Sequence, residues 1–140
     1  MLKIQKLINR QVIKYMALIF DKYGGERFLD TLLNALYARN LSDSNLQNFY
    51  SDKDVNKIKN KNRELLLAAF SPSAEHFSIS VKRVHADLRI TEAAFDSFVK
   101  NLNLELVTFK VQEEDIEEIL IVVNSFKDDI VSAYIETDYA

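Results

Sequence analysis

The sequence predicts a single all-α domain. The chain has 140 residues, enough for one domain with a buried core and one ligand site but few for two domains. It contains two glycines and one proline, and the long intervals between these turn-forming residues favour helices over a many-stranded sheet. Apolar residues recur every three or four positions, which is the spacing of one helix face. We therefore predict one helical domain over residues 1–140.

The first part of the chain is predicted to form two helices and then a turn. Residues from about 3 to 22 have helical spacing, and the pair Gly24 and Gly25 breaks that segment. From Glu26, a second helix is predicted by the apolar face formed by Leu29, Leu32, Leu33, Leu36 and Tyr37. The polar segment LSDSNLQNFYSD is then predicted to turn the chain.

The second part carries four further helical stripes. From about Asp54 to Phe70, one face is formed by Val55, Ile58, Asn62, Leu65, Leu66 and Ala69, and Pro72 ends the helix. A short stripe follows with Val81, Val84, His85 and Leu88. A helix capped by Thr91 then carries Phe95, Phe98, Leu102 and Leu106. A last helix is predicted to carry Ile116, Ile119, Leu120, Val123 and Ile130.

Composition excludes several classes of function. The chain has no cysteine, which rules out disulfides, zinc-thiolate sites and thiolate nucleophiles. Its net charge is −3, and its basic residues are interspersed with acids and asparagines, so no nucleic-acid partner is expected. No apolar run approaches the roughly 18 residues of a membrane span, and lysines and arginines interrupt the first segment. We expect a cytoplasmic protein that does not bind a membrane.

Three polar residues interrupt the apolar stripes: Tyr37, Asn62 and His85. A buried polar side chain costs about 1 to 3 kcal/mol unless it finds a partner. The three residues lie on three different predicted helices, and a pocket between helices is a natural ligand site. Taken singly, each also has an ordinary structural explanation as a core residue bonded to backbone, water or the surface. The pattern alone leaves both explanations open.

Three segments together resemble the truncated haemoglobins of group I. The segment DKYGGERFLDTLLNALYARNLSDSNLQNFY is similar to the opening of that family, with paired glycines, a Leu-Tyr pair on the second helix and a closing aromatic pair. KIKNKNRELLLAAF resembles the family's distal helix, and RVHADLRITEAAFDSFVKNL its proximal-histidine region. The resemblance runs from about Ile19 to Ile130. It implies a globin-like fold, a two-over-two helical sandwich over residues 19–135, with residues 1–18 as an extended N-terminal helix.

The resemblance also implies a haem b pocket and a role for four residues. His85 would be the proximal ligand of the haem iron, and the other histidine, His76, lies in the loose connection before it. Tyr37 would donate a hydrogen bond to dioxygen, and Asn62 would be a second donor where the family often has glutamine. Ile58 occupies the position of the distal histidine of larger globins.

Other positions would hold the cofactor. Lys61 matches a position that commonly pairs with a haem propionate. Two alternatives are open: Lys61 is an ordinary solvated lysine, or it is deprotonated and binds the iron as a sixth ligand. Apolar walls are expected from Leu36, Tyr50, Leu65, Leu66, Val81, Phe95, Phe98, Ile119 and Val123.

The sequence departs from the family pattern at several positions. Ser71 and Pro72 replace the glycine pair usual after the distal helix, and Ser78 replaces a further glycine. Tyr50 replaces the phenylalanine usual against the porphyrin, a modest change if its hydroxyl reaches solvent. Phe98 is bulkier than the usual aliphatic residue, so the pocket or a gas tunnel is expected to be narrower.

The resemblance favours a haem protein, monomeric or weakly dimeric, that reversibly binds dioxygen or another diatomic gas. Nitric oxide dioxygenation, which needs a reductase partner, is compatible with the same residues. A haem-less globin-fold interaction or sensory module is the alternative, suggested by Phe98 and the missing glycines. A haem-based gas sensor lacks an output domain, and no motif for hydrolysis or phosphate binding occurs at useful spacing.

Overall fold

The computed structural model describes residues 19–51, 53–60, 63 and 90–131. These residues form helices and turns, and they include no β-strand. Three long helices have complete bounds: α1 spans Glu26–Leu41, α2 spans Glu92–Thr108 and α3 spans Glu113–Asn124. A 3-10 helix spans Gln47–Phe49, and residues 19–22, 55–60, 63 and 127–131 are also helical. The all-α class predicted from the sequence is confirmed.

The predicted break before α1 is present at the two glycines. Gly24 and Gly25 have φ angles of 125° and 64°, values that side chains with a Cβ rarely adopt. The Gly25 amide donates to the Phe20 carbonyl at 2.9 Å, which closes the end of the 19–22 segment and lets α1 begin at Glu26. The glycine pair thus turns the chain between two helices, as predicted.

Helix α2 begins and ends with local signals of different kinds. The Thr91 side chain accepts a hydrogen bond from the Ala94 amide at 3.1 Å, so the predicted N-cap is confirmed. At the other end, Lys110 has a φ of 62°, and the Val111 amide donates to the Leu106 carbonyl at 3.0 Å. A left-handed residue in this bonding pattern ends a helix, and α3 starts a few residues later.

The core lies where α2 packs against both α1 and α3. The five stripe residues predicted on α1 are all buried, with Leu29 at 1% and Tyr37 at 3% exposure. The fully buried members of this core cluster, which we call the central cluster, are Ile19, Phe20, Leu29, Leu32, Leu33, Leu36, Tyr37, Leu102, Leu106, Val111, Ile116, Ile119, Val122 and Phe126. Helical periodicity therefore identified the buried face of α1 correctly.

The last predicted helix is interrupted, and on this point the sequence prediction was wrong. Helix α3 ends at Asn124, and residues 125–126 form a turn before a second helical segment that carries Ile130. The Ser125 hydroxyl donates to the Val122 carbonyl, and the Phe126 amide donates to the Val123 carbonyl at 3.1 Å. Such short-range bonds tighten and end a helix. The turn also buries the Phe126 ring in the central cluster.

Several sequence predictions fall outside the described residues. They are the helix before residue 19, the part of the distal helix beyond residue 63, its end at Pro72, and the stripe of Val81, Val84, His85 and Leu88. Among the helices the structure does describe, none combines the length and apolar character of a membrane span.

Candidate functional site

Most of the described residues predicted to form the ligand pocket belong to the central cluster or pack against it. Leu36, Tyr37 and Ile119 are buried members of the cluster, each with no more than 3% exposure. Four more predicted residues are partly buried and pack against that cluster: Tyr50, Ile58, Phe98 and Val123. Residues that are far apart in sequence thus share one core with Tyr37.

Phe95 is placed differently from the other predicted wall residues. Its ring has 3% exposure, but it lies outside the central cluster. The Lys127 ammonium lies 5.9 Å from the ring centroid and bonds Glu92 and Asp96 on the same face of α2. Among the residues the structure describes, Phe95 is therefore linked to the segment after α3.

The remaining predicted site residues lie outside the described residues: His85, Asn62, Lys61, Leu65, Leu66 and Val81. Their roles as iron ligand, second donor, propionate partner and pocket wall therefore stay predictions. The predicted pocket residues that the structure describes lie on α1, α2 and α3, in the 55–60 segment and directly after the 3-10 helix.

The two tyrosines predicted for the pocket contact each other. The Tyr37 and Tyr50 ring centroids are 5.7 Å apart, with an angle of 79° between the ring planes. This edge-to-face arrangement is favourable for aromatic pairs. Tyr50 reaches Tyr37 because the chain turns after α1 and passes through the 3-10 helix, where the buried Leu46 side chain anchors it. The orientation of each ring therefore depends on the other.

The Tyr50 hydroxyl lies in a largely desolvated position. Burial raises the pKa of Tyr50, and the Asn40 side-chain amide, the second and smaller influence, lowers it. Burial disfavours the charged phenolate, whereas an amide donor favours it. The sequence left open whether this hydroxyl reaches solvent, and the direction of the pKa shift indicates that burial prevails. Tyr50 is therefore a neutral phenol near neutral pH.

Sequence reasoning missed a pair of buried asparagines beside this tyrosine. Asn40 is 0% exposed and Asn101 is 5% exposed. The Asn101 Nδ2 donates to Asn40 Oδ1 at 2.9 Å and to Asp43 Oδ2 at 3.0 Å. The signal was available for Asn40, which continues the α1 stripe three positions after Tyr37. A buried amide pair across two helices is costly unless its hydrogen bonds are made.

A ladder of polar contacts from Lys59 and Arg63 joins the segment after the 3-10 helix to α1. The Lys59 ammonium donates to Asn34 Oδ1 at 3.0 Å. One turn further along, the Arg63 guanidinium donates to Asp30 and, at 3.2 Å, to Glu26. The partners on α1 come earlier in the sequence as the donor residue comes later, so the two segments are antiparallel. That arrangement places Ile58 against the central cluster.

The cleft beside this ladder is a poor candidate for a haem pocket. Its lining consists mostly of amide and charged side chains: Asp30, Leu33, Asn34, Asn56, Lys59, Asn60 and Arg63. A porphyrin needs predominantly apolar walls. The apolar surroundings of Tyr37 meet that requirement and the polar cleft does not.

A second polar cluster joins residues 22–23 to the start of α3. Asp115 accepts hydrogen bonds from Lys22 at 2.8 Å and from the Tyr23 hydroxyl. These two donors lower the pKa of Asp115. The Tyr23 hydroxyl also accepts a hydrogen bond from the backbone amide of Gln112 at 3.0 Å. The cluster lies at a helix N-terminus, where a carboxylate is stabilising, and its bonds are internal, so we assign it a structural role.

Comparison with known proteins places this architecture in a family. The model of the bacterial-like globin family matches residues 18–132. The group 1 truncated haemoglobin GlbN of Mycolicibacterium paratuberculosis is 30% identical over 104 residues, which are 74% of this chain and 76% of that protein. GlbN of a Nostoc species, also a group 1 truncated haemoglobin, is 24% identical over 117 residues, or 84% of this chain and 99% of its own.

A solved structure agrees with the sequence relatives. The globin of Synechococcus sp. PCC 7002, solved at cryogenic temperature with a haem modification, superposes with a TM-score of 0.66 at 25% identity. The match covers 81% of this chain and 97% of that one. The globin fold and the resemblance to group I truncated haemoglobins are thereby confirmed. The chain belongs to the bacterial-like globin family.

Proposed function

We propose that this globin binds haem b and uses it to bind dioxygen, or another diatomic gas, reversibly. Globins are haem proteins that bind such gases, so family membership supports the general function. The observation that carries the proposal for this chain is the burial of Tyr37. Its side chain is 3% exposed and lies in the central cluster, so its hydroxyl is held among predominantly apolar side chains.

The described residues fit a haem group. Leu36 and Ile119 are buried, and Ile58, Phe98 and Val123 pack against the same cluster, so the surroundings are apolar enough for a porphyrin. One hydroxyl in such surroundings suits a small ligand that gains partial negative charge, because a hydrogen bond is stronger where the local dielectric constant is low. The haem would supply the iron that binds the gas.

Each predicted residue then has a defined task. Tyr37 donates its hydroxyl hydrogen to the ligand, and Asn62 adds an amide donor from the distal helix. Ile58 keeps the distal side free of an imidazole. His85 would hold the haem iron, and Lys61 would pair with a haem propionate. These roles rest on the family resemblance together with the burial of Tyr37 and Ile58 in and against the central cluster.

Nitric oxide dioxygenation is the activity we propose to test beyond reversible binding. The same pocket would admit nitric oxide as a second diatomic molecule, with nitrate as the product. Each turnover would consume one electron from the bound haem, so a reductase would be needed as electron donor. Nitrate formation by the reduced, oxygenated protein, measured with and without an added reductase, tests this activity.

Spectra of histidine variants test the cofactor and its ligand. The chain has two histidines, so His76→Ala is a matched control for His85→Ala. We expect wild type and His76→Ala to bind one haem per chain, with sharp ferric, ferrous and carbon monoxide spectra. His85→Ala should lose or alter these spectra. If wild type takes up haem no more specifically than His85→Ala, the proposal of haem binding is wrong. The alternative, a haem-less interaction or sensory module, would then be the better proposal.

A further inference from the structure

The asparagine pair forms a connected series of contacts that ends at Tyr37. Asp43, just after α1, accepts from Asn101 on α2, and Asn101 also donates to Asn40 on α1. Asn40 lies three positions after Tyr37 on the same buried face of α1, and its amide favours the phenolate form of Tyr50. The Tyr50 ring in turn meets the Tyr37 ring edge to face. A change at Asn101 on α2 can therefore reach a side chain on the distal side of the pocket.

Only one end of the Asn40 side-chain amide has a hydrogen-bond partner among the described residues. Its Oδ1 is occupied by Asn101, whereas its Nδ2 is fully buried and meets no acceptor at hydrogen-bonding distance among the described residues. The same amide favours the phenolate form of Tyr50. A buried N–H without an acceptor is costly, so this donor gains free energy whenever the Tyr50 oxygen comes within hydrogen-bonding distance of it.

We propose that Asn40 and Asn101 are positioning residues for the distal donor: they hold the Tyr50 ring, and through its edge contact they orient the Tyr37 hydroxyl. The inference rests on the proposed gas-binding function and deepens it. It also assigns a role to the hydroxyl that distinguishes Tyr50 from the phenylalanine usual at that position. With phenylalanine at position 50, the Asn40 amide would have no hydroxyl to engage.

A leucine at position 40 would continue the apolar stripe of α1 without burying an amide. The chain instead buries two amides and connects them across α1 and α2. An interaction that only joined these helices would need no contact with Tyr50. The contact with Tyr50 is what ties the pair to the ligand side of the molecule.

Dioxygen dissociation in a mutant cycle tests the inference. The double variant Asn40→Leu with Asn101→Leu removes both partners, so neither amide is left buried alone. We expect it to raise the dissociation rate about two- to tenfold, the lower part of the range of coupling between contacting residues. In a Tyr37→Phe background the same double variant should leave the rate unchanged. An unchanged rate with Tyr37 present, or an equal rise in both backgrounds, would overturn the proposal.

A matched control separates positioning from general loosening of the helix contact. The Asn45 Nδ2 donates to the Ser97 hydroxyl at 2.9 Å, which is another amide contact to α2, made from the turn after α1 at the exposed surface. Asn45→Leu should leave the dissociation rate at its wild-type value. A rise equal to that of the buried double variant would contradict the proposal.

A measurement that does not need haem distinguishes this inference from the gas-binding proposal. Absorbance titration of the protein as purified, compared with Tyr50→Phe, isolates the ionisation of Tyr50. The double variant should raise the pKa of Tyr50 further, because it removes an amide that favours the phenolate. If wild type binds no haem, the proposed function fails. If the Tyr50 pKa is the same with and without the asparagines, the positioning inference fails.

Discussion

Tyr37 carries the main functional prediction at the scale of single residues, because its ring is buried in an apolar cluster with 3% exposure. Tyr37→Phe keeps the ring and removes the donor. A hydrogen bond to a partly charged acceptor contributes about 1.5 to 3 kcal/mol, so the dioxygen dissociation rate should rise at least about tenfold. Stopped-flow displacement by carbon monoxide measures it.

Tyr23→Phe is the matched control for that variant. It removes a hydroxyl that bonds Asp115 and the Gln112 amide instead of the pocket, so the dissociation rate should stay at its wild-type value. A Tyr37→Phe rate within twofold of wild type would show that Tyr37 is not the donor.

Sequence reasoning found Tyr37 and missed Asn40 for a physical reason. Tyrosine stands out when it interrupts a leucine stripe, and its position on the stripe is fixed by local helix geometry alone. Asparagine near a helix end is commonly a cap or a turn residue, so its burial is not evident. The partner, Asn101, lies 61 positions away. Such a pairing depends on how α1 meets α2, which local periodicity does not determine.

At the scale of elements, the cluster around Asp115 predicts a pH dependence of stability. Its pKa is lowered from the ordinary value of 3.8 by hydrogen bonds from Lys22 and Tyr23. A carboxylate with a lower pKa in the folded state stabilises the fold above its unfolded pKa, and this stabilisation is lost as the pH falls through the folded pKa. Asp115→Asn should therefore be less stable than wild type at pH 7.

Urea unfolding at pH 7 and at a series of lower pH values measures this dependence. The difference in unfolding free energy between wild type and Asp115→Asn should shrink as the pH falls below about 4. Glu114→Gln, one position away on the same first turn of α3 and exposed, is the matched control and should show a smaller difference. A difference that stays constant with pH would mean that the carboxylate charge is not what stabilises the contact.

The ends of helices that depend on local sequence signals were predictable. The helix end that depends on tertiary packing was not. Thr91 caps α2 and the glycine pair precedes α1 through bonds made within a few residues. The apolar positions of the last segment continue at helical spacing up to Ile130, so periodicity favoured one helix. The turn at residues 125–126 instead accompanies burial of the Phe126 ring. That gain depends on the core formed by α1 and α2.

At the scale of the whole molecule, periodicity predicted the all-α class, and the order of motifs predicted the globin fold. Helical stripes show that each helix has one buried face, but they do not show which helices meet. The arrangement is shared with the Synechococcus globin at 25% identity, because many apolar sequences can fill the same core as long as volume and pattern are kept. The motifs around Tyr37 and His85 carried the information that periodicity lacked.

Haem binding should also be visible as stabilisation of the entire fold. A ligand that binds the folded state alone, at a free concentration about a hundredfold above its Kd, adds about 2.7 kcal/mol. For a chain of 140 residues, this corresponds to a rise of about 10 °C in the melting temperature. Wild type and His76→Ala should both show it on addition of haemin, and His85→Ala should show less than about half. An equal rise in His85→Ala, measured by circular dichroism, would mean that His85 does not anchor the cofactor.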